Sequence, residues 1–302
     1  MKHLTTTPPI SEVLQRKIDY AVRLIKTAVG DQTVEVSYSG GKDSDVILQL
    51  AKEAGVNYRA IYKNTTIDPP GTLAHCRKNG VEILQPKITF FHLLARKGMP
   101  TRRCRFCCEK MKEYKVLDIS IQGIRRSEST ARAARYSEDD PVICRIYGRN
   151  KKNHVNVILP ILSWTDEDVA AFIADRHIQC HPLYYDTEGN FHPERRLGCV
   201  GCPLQADQGL QDFRDNPKMF RAWCRAVKQW WDTHPHVASR TKYFTTTGMI
   251  AHNIFFRSYG KWQKADIEDD GSEVFARTGH RDWLNFLELE IGCNLKDIFP
   301  EQ

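Results

Sequence analysis

Apolar residues in the first two thirds of the chain recur with periods that predict helices and strands in turn. A helical stripe begins after Ser11 and ends at Gly30-Asp31. Its apolar positions are Val13, Leu14, Ile18, Ala21, Val22 and Ile25. Residues 33–38 alternate between polar and apolar, which predicts a first strand. A second helix is predicted over residues 45–54, where apolar residues again share one face.

Four further strands are predicted, at residues 58–62, 81–84, 117–122 and 155–159. Helical segments separate them, and the stretch around Pro141 and Gly148 is expected to be irregular. Strands that alternate with helices across short loops are typical of a mostly parallel sheet with helices on both faces. The pattern therefore predicts a doubly wound α/β fold with five strands, whose ligands bind at the carboxyl ends of the strands.

The segment Ser39-Gly40-Gly41-Lys42-Asp43-Ser44 joins the first strand to the helix that follows it. Glycines let the backbone approach an anion closely, and the free N–H groups of a helix N-terminus stabilise negative charge. Lys42 adds a cation, and Ser39 and Ser44 add hydroxyl groups. The spacing differs from GxxxxGK[ST]. A lone glycine pair is as often an ordinary turn, but six suitable residues between a strand and a helix favour a phosphate-binding loop.

Three segments are expected along the chain. Residues 1–30 form an N-terminal arm and helix, and residues 31–210 form the α/β domain that carries the phosphate loop. Residues 211–302 form a helical region rich in aromatic side chains. The aromatic residues at its start are Phe213, Phe220, Trp223, Trp230 and Trp231.

The net charge of +7 is concentrated in one stretch. Residues 96–135 contain twelve Lys or Arg and four Asp or Glu, so the local charge is +8 and the remainder is near neutral. Such a zone suits a polyanion, either a nucleotide or a nucleic-acid backbone, although a solvated basic surface is the simpler alternative. No apolar run reaches the roughly 18 residues of a membrane span, and no signal peptide is apparent. We therefore expect a cytoplasmic protein without a membrane partner.

Ten cysteines are many for a chain in a reducing compartment, where metal or redox chemistry is commoner than structural disulfides. Two groups stand out, and they comprise Cys104, Cys107 and Cys108, and then Cys199 and Cys202. Four thiolates from two loops are the ligand set of an iron–sulfur cluster or a structural zinc. A thiol pair that cycles through a disulfide, or cysteines without any metal, are the alternatives.

Six motifs follow one another in a characteristic order. They are Ser39–Ser44, Arg105–Cys108 with Lys112, Gly123–Ser129, Pro160–Trp164 with Asp168-Val169, His181–Tyr184 and Gly198–Pro203. This order resembles the phosphoadenosine phosphosulfate (PAPS) reductase family of PP-loop proteins, over roughly residues 30–205. The resemblance implies a Rossmann-like fold of the adenine nucleotide α-hydrolase type.

The resemblance also implies a set of site residues. ATP or a sulfonucleotide would be bound, with Mg²⁺ on the phosphates, by Ser39, Gly40, Gly41, Lys42, Asp43, Ser44, Asn64, Gly123 and Arg125. The side chains acting in catalysis would be Lys42, Asp43, Arg125 and Arg126. A [4Fe–4S] cluster, or alternatively a structural Zn²⁺, would be held by Cys107, Cys108, Cys199 and Cys202, with Cys104 as a substitute.

Two departures from the reductases of this family change the expected reaction. Their phosphate loop is usually degenerate, whereas residues 39–44 are intact here. Their nucleophilic Glu-Cys-Gly motif is matched only loosely, by Gly292-Cys293. We therefore expect cleavage of ATP between its α- and β-phosphates, coupled to sulfur transfer with a sulfur-donor protein and a DNA or tRNA acceptor.

Two alternatives and the oligomeric state stay open. The first alternative is a sulfonucleotide reductase that releases sulfite, and the second is a non-catalytic, nucleotide-regulated component that binds nucleic acid.

Overall fold

The computed structural model describes residues 10–147, 153–205, 209–237, 245–256 and 283–301. The chain divides into two compact units, which we call the sheet unit and the helical unit. The sheet unit comprises Met1–Asn64, Pro69–Gln85 and Glu109–Gly198. The helical unit comprises Thr65–Asp68, Pro86–Cys108 and Cys199–Gln302. Each unit is therefore assembled from segments that are separated in sequence.

Within the described residues, the sheet unit contains a sheet of six strands. They are β1 (Val34–Tyr38), β2 (Tyr58–Lys63), β3 (Glu82–Leu84), β4 (Ile119–Ile121), β5 (Val142–Tyr147) and β6 (Asn153–Ile158). Their order across the sheet is β3-β2-β1-β4-β6-β5, and all neighbours are parallel except β5 and β6. On the central strand β1, Val36 lies opposite Ala60 on one side and Ile121 on the other. The predicted α/β fold with a mostly parallel sheet is confirmed.

The described α-helices are distributed along the whole chain. They are α1 (Glu12–Val29), α2 (Lys42–Ala54), α3 (Thr72–Lys78), α4 (Phe90–Lys97), α5 (Phe106–Met111), α6 (Thr130–Arg135), α7 (Asp166–Asp175), α8 (Leu210–Asp215), α9 (Pro217–Thr233), α10 (Thr246–Ala251) and α11 (Trp283–Ile291). Side chains cap several of them. Ser11, for example, accepts a hydrogen bond from the Leu14 N–H at the start of α1, as the sequence pattern predicts.

Strand β5 corrects the prediction of a five-stranded sheet. It lies in the stretch that was expected to be irregular, and it pairs with β6 through six opposed residues, from Val142–Ile158 to Tyr147–Asn153. Its side chains alternate between exposed and half-buried, so they carry no strong apolar signal. Pro141 suggested a break, but a proline just before an edge strand removes no hydrogen bond that the sheet needs.

The main core lies where one face of the sheet meets α1, α2 and α7. Val34, Val36 and Tyr38 of β1 point into this core and are almost completely buried. Because side chains alternate along a strand, Glu35 and Ser37 lie on the other face. A smaller apolar cluster contains Tyr136, Val155, Val157, Leu159 and Leu162. Strand β1 thus supplies an apolar surface to the core and polar groups to the other face.

The helical unit is built around α4 and α9. The Phe90 ring of α4 packs against Trp223 of α9, with 4.8 Å between ring centroids. Gly98 ends α4 at a positive φ of 74°, and a methyl group there would lie 2.9 Å from the Trp230 ring. No helix among the described residues combines the length and the apolar character that a membrane span requires.

We predict that Phe172→Ala lowers the free energy of unfolding by about 3–5 kcal/mol. The Phe172 side chain of α7 is completely buried, and its ring lies 5.4 Å from that of Trp164. Urea denaturation followed by tryptophan fluorescence measures the change. Val13→Ala on the exposed side of α1 serves as the control, with an expected loss below about 0.5 kcal/mol. Equal losses in the two variants would contradict this assignment of the core.

Candidate functional site

The predicted phosphate loop connects β1 to α2 as a tight turn. Gly40 adopts a φ of +82°, and Gly41 is the residue that caps α2. The Gly41 carbonyl accepts hydrogen bonds from the N–H groups of Ser44 and Asp45 and from the Ser44 hydroxyl. The first turn of α2 is therefore formed, and its N-terminus lies at the carboxyl end of β1. This is the arrangement that stabilises an anion at a helix N-terminus.

Close packing around the loop explains its glycines. A methyl group on Gly40 would lie 3.1 Å from both Leu197 and Thr72. Gly123, which follows β4, approaches α2 so closely that a methyl group would lie 2.9 Å from the Asp43 carbonyl oxygen. The loop after β4 therefore lies directly against the phosphate loop, as expected for two strand ends at one edge of a parallel sheet.

A polar cavity of about 190 Å³ opens at this loop. We call it the phosphate cavity. Its lining residues are Ser37, Ser39, Gly41, Lys42, Asp43, Ser44, Gly123, Glu128, Arg132, Tyr184, Arg196 and Leu197. Five of the six residues of the predicted loop line it, and Gly123 joins them. The Tyr184 hydroxyl accepts hydrogen bonds from the N–H groups of Lys42 and Leu197, which fixes two sides of the cavity.

Four charged side chains form a network beside the loop. The Arg125 guanidinium is 1 % exposed and pairs with Asp43 and Asp166, at 2.7 Å each. The Lys42 ammonium lies 3.4 Å from Asp43 and 3.7 Å from Asp166. Asp166 belongs to the first turn of α7, where the Thr165–Asp168 capping box begins the helix. Two cations and two carboxylates thus offset one another, and Arg125 has no face directed to solvent.

Three charged residues of the phosphate cavity were not predicted from the sequence. The Glu128 carboxylate contacts the guanidinium groups of Arg132 and Arg196, with 3.6 Å to the latter. Burial lowers the pKa of Arg132 first, and the nearby charge of Arg196 lowers it further. A charged triplet of this kind has no local motif, because Arg196 lies far from the other two in sequence. The local sequence signal for Arg196 was the adjacent pair Arg195-Arg196, which shortly precedes Gly198-Cys199.

Two of the predicted site residues, Asn64 and Arg126, lie outside the lining of the phosphate cavity. Asn64 follows β2 and is 8 % exposed, and its amide donates a hydrogen bond to Gln85. Arg126 pairs with Glu138 at 2.7 Å. Neither lines the phosphate cavity.

A larger cavity of about 430 Å³ adjoins the phosphate cavity, with which it shares Ser37 and Ser39. It lies on the polar face of the sheet. Its charged lining residues are Glu35, Lys63, Lys112, Glu113, Arg135 and Arg145. Glu35 is buried and pairs with Lys63 at 3.0 Å, and its carboxylate also accepts a hydrogen bond from the Ser37 hydroxyl. Strand β5 contributes Arg145, Ile146 and Tyr147 to the wall.

The cysteines of the two predicted groups lie in the helical unit. The pKa of Cys107 is raised first by its hydrogen bond with Cys108, then by burial, and further by the charges of Cys108 and Cys199. The Cys199 thiol donates to Asp68 at 3.4 Å. The Cys202 N–H donates to the Cys199 carbonyl at 3.1 Å, across a turn in which Gly201 has a φ of +73°.

The thiols have the chemistry of a metal site. In the part of the chain that the structure describes, no three His, Cys, Asp or Glu side chains are placed so that they could share a metal ion. Cys104 is exposed, and its N–H donates to the Thr101 hydroxyl. The donor set therefore fits a cluster in residue type, although the described thiols are not placed to share a single metal ion.

Cys293, the loosely matched counterpart of a nucleophile, follows α11. Its N–H donates to the Glu288 carbonyl, and burial raises its pKa. A reactive cysteine needs the opposite shift, because the thiolate is the nucleophile.

A buried polar network supports the first turn of α2. Asp45 accepts hydrogen bonds from Tyr38 and from the His75 ring, and burial raises its pKa. The His75 ring meets His181 edge to face, with 5.8 Å between centroids. His181 in turn accepts a hydrogen bond from the Leu183 N–H and lies 3.5 Å from the Thr72 hydroxyl. The network joins β1, α2, α3 and the turn before Tyr184.

The buried His181 predicts a loss of stability in acid. Burial, and then the charge of His75, lower its pKa from 6.5 to about 4. Between these values the unfolded chain binds more protons than the folded chain, so stability falls as the pH falls from 6.5 towards 4. We expect a contribution of up to about 3 kcal/mol, measured as the pH dependence of urea unfolding. His181→Asn, which keeps an acceptor for Leu183, should flatten this dependence.

The exposed His154 provides the control for that experiment, since His154→Gln should leave the slope as in the wild type. An unchanged slope in His181→Asn would contradict the prediction.

Comparisons with known proteins bear on the family. An uncharacterized protein of Methanocaldococcus jannaschii is 28 % identical over 213 residues, which cover 65 % of this chain and 48 % of that protein. The chain thus spans about half of that relative's length. Among solved structures, the FMN adenylyltransferase of Candida glabrata has a TM-score of 0.42 at 14 % identity, over 66 % of each chain.

The U34-tRNA thiolase NcsA of Methanococcus maripaludis, solved with its [4Fe–4S] cluster, has a TM-score of 0.38 at 16 % identity. That similarity covers 74 % of this chain and 81 % of the thiolase. The model of the phosphoadenosine phosphosulfate reductase domain matches residues 33–205, which are more than half of the chain and include the phosphate loop and both cysteine groups. The protein therefore belongs to the phosphoadenosine phosphosulfate reductase domain family.

Proposed function

We propose that the protein is an enzyme that binds ATP in the phosphate cavity and cleaves it between the α- and β-phosphates. The acceptor is adenylated, and the reaction is coupled to sulfur transfer. The observation that carries the proposal is the intact loop, whose glycines, serines and Lys42 line a polar cavity at the N-terminus of α2. A larger cavity continues from it and has room for the nucleoside.

In the proposed reaction, an oxygen of the acceptor attacks the α-phosphorus. The bond from that phosphorus to the bridging oxygen breaks, and pyrophosphate leaves with the bonding electron pair. The positive end of the α2 dipole and the Lys42 ammonium would stabilise the negative charge that develops on the leaving group. Both are in place before the ligand arrives, because Lys42 is buried and held by Asp43 and Asp166.

The charges of the phosphate cavity suggest that the nucleotide arrives with a cation. Lys42, Arg132 and Arg196 contribute three positive charges to the lining, and Asp43 and Glu128 contribute two negative charges. This lining cannot neutralise a triphosphate alone, whereas Mg²⁺ bound between the phosphates and Asp43 would reduce the difference. Arg125 has no free side, so in this proposal it positions Asp43 instead of contacting the nucleotide.

We extend the proposal to DNA or tRNA as the acceptor, with a sulfur-donor protein as a further partner. The support is the charge of residues 96–135, within which Arg102, Arg103 and Arg105 are exposed. Arg102 also donates to the carbonyls of Pro203 and Gln205.

Lys42→Ala tests the proposed site. We expect the dissociation constant for ATP with Mg²⁺ to rise at least about tenfold, because a charge-assisted contact to phosphate is lost. Titration calorimetry measures it. Lys26→Ala, at the exposed end of α1, is the matched control and should bind as the wild type does. The products decide the reaction: with ATP and an acceptor, the wild type should release AMP and pyrophosphate. Release of ADP and phosphate would contradict the proposal.

For the thiols we propose a metal centre held by Cys107, Cys108, Cys199 and Cys202, with Cys104 as a substitute ligand. When bound, a [4Fe–4S] cluster would supply redox-active iron or a binding position for sulfur. No step of the proposed reaction depends on it, because among the described residues the thiols are not placed to share a metal ion.

Metal content tests the proposed centre. Anaerobically purified protein should contain about four iron atoms per chain and absorb near ~400 nm, and Cys199→Ala should lose most of both. Cys144→Ala, at an exposed thiol outside the set, is the control. One zinc in a colourless protein would favour the structural alternative, and protein without any metal would contradict a metal centre.

A further inference from the structure

Glu128 stands in the phosphate cavity as a carboxylate among cations. It ends the short 3-10 helix Arg126–Glu128 that follows β4, and its side chain is 14 % exposed. It pairs with Arg132 one turn further along the chain and with Arg196, 3.6 Å away. All three residues line the phosphate cavity, beside the loop that precedes α2. Glu128 thus occupies the two arginines that an incoming phosphate would also contact.

The two arginines need an anion between them. Arg132 is partly buried, and the charge of Arg196 lowers its pKa, so the guanidinium groups are close enough to repel one another. A carboxylate that bridges them offsets this repulsion, and a phosphate group would do the same with more charge. Arg132 and Arg196 can therefore bind either of two competing anions, the Glu128 carboxylate of the chain or a phosphate of the ligand.

We propose that Glu128 is an internal competitor for the ligand's phosphates and lowers the affinity of the site for ligands with two or more linked phosphates. The inference rests on the proposed function, because it assumes that the phosphate cavity binds phosphates. A single phosphate binds at the loop and leaves the arginines with Glu128. A pyrophosphate group extends to Arg132 and Arg196 and must displace the Glu128 carboxylate. This competition lowers the affinity of the site for pyrophosphate.

Glu128→Gln separates this role from a structural one. Glu128 also accepts a hydrogen bond from the Arg125 N–H at 3.2 Å, and the amide oxygen of the substituted side chain can accept it equally. The substitution therefore removes the competing charge and keeps the turn. The matched control is Glu138→Gln, which removes the same charge from an exposed carboxylate that pairs with Arg126 outside the cavity.

The experiment is titration calorimetry of the full chain with inorganic pyrophosphate and with inorganic phosphate, both in EDTA. For Glu128→Gln we expect pyrophosphate to bind about fivefold more tightly than to the wild type, the equivalent of one partly exposed ion pair of about 1 kcal/mol. The affinity for inorganic phosphate should stay within about twofold. Glu138→Gln should match the wild type for both ligands. Arg196→Ala, at a side chain that is 68 % exposed, should weaken pyrophosphate binding.

Unchanged or weaker pyrophosphate binding by a Glu128→Gln variant with wild-type thermal unfolding would overturn the inference. Equal tightening for phosphate and pyrophosphate would also overturn it, as would the absence of pyrophosphate binding in both proteins. The proposed function fails on a different result. Suppose that Glu128→Gln tightens pyrophosphate binding as expected, but the wild type releases ADP from ATP. The role of Glu128 as a competitor is then supported, and the proposed cleavage between the α- and β-phosphates is contradicted.

Discussion

The ion pairs of the buried Arg125 guanidinium are the interaction on which the candidate site depends. Arg125 follows β4, yet it binds a carboxylate of the phosphate loop's own helix, Asp43, and one from the first turn of α7, Asp166. Loss of one partner from a buried charge pair typically costs about 3–5 kcal/mol, because the remaining charge is left uncompensated. Because Asp166 is half-exposed, water can solvate its carboxylate, and losing the pair with Asp166 costs less. The pairing fixes the start of α2 relative to β4 and α7.

This constraint acts together with the alternation of side chains along β1. One set of residues enters the apolar core, while Glu35 and Ser37 line cavities on the other side. Ser37 connects the two cavities, since it borders both the phosphate cavity and the larger cavity and bonds to Ser120 of β4. A central strand that is apolar on one side and polar on the other can therefore be stable and still present a binding surface.

Much of the fold could be predicted from the sequence because the periods of helices and strands are local properties. The phosphate loop was recognisable for the same reason, since its glycines, lysine and serines are adjacent. Strand β5 was missed because its side chains are alternately exposed and half-buried and carry little apolar contrast. Its effect on the site is considerable, as Arg145 and Tyr147 line the larger cavity.

The parts of the site that could not be predicted depend on contacts between distant segments. Arg196 meets Glu128 only in the folded chain, and no spacing rule connects them. The opposite case is Arg125, whose residue type suggested a ligand contact, whereas the structure surrounds it with carboxylates. The cysteines lie between these cases. The spacing indicated two groups, and the charge of Cys199 raises the pKa of Cys107, but no three donors among the described residues are placed to share a metal ion.

The central claim is that the N-terminus of α2 binds the phosphates of ATP. A crystal structure with Mg²⁺ and an ATP analogue whose α- and β-phosphates are joined by a methylene group tests it most directly. We expect phosphate oxygens at the N-terminus of α2 and within about 2.7–3.2 Å of the Lys42 ammonium, with the nucleoside in the larger cavity. An analogue bound elsewhere, with the phosphate cavity holding only water, would contradict it.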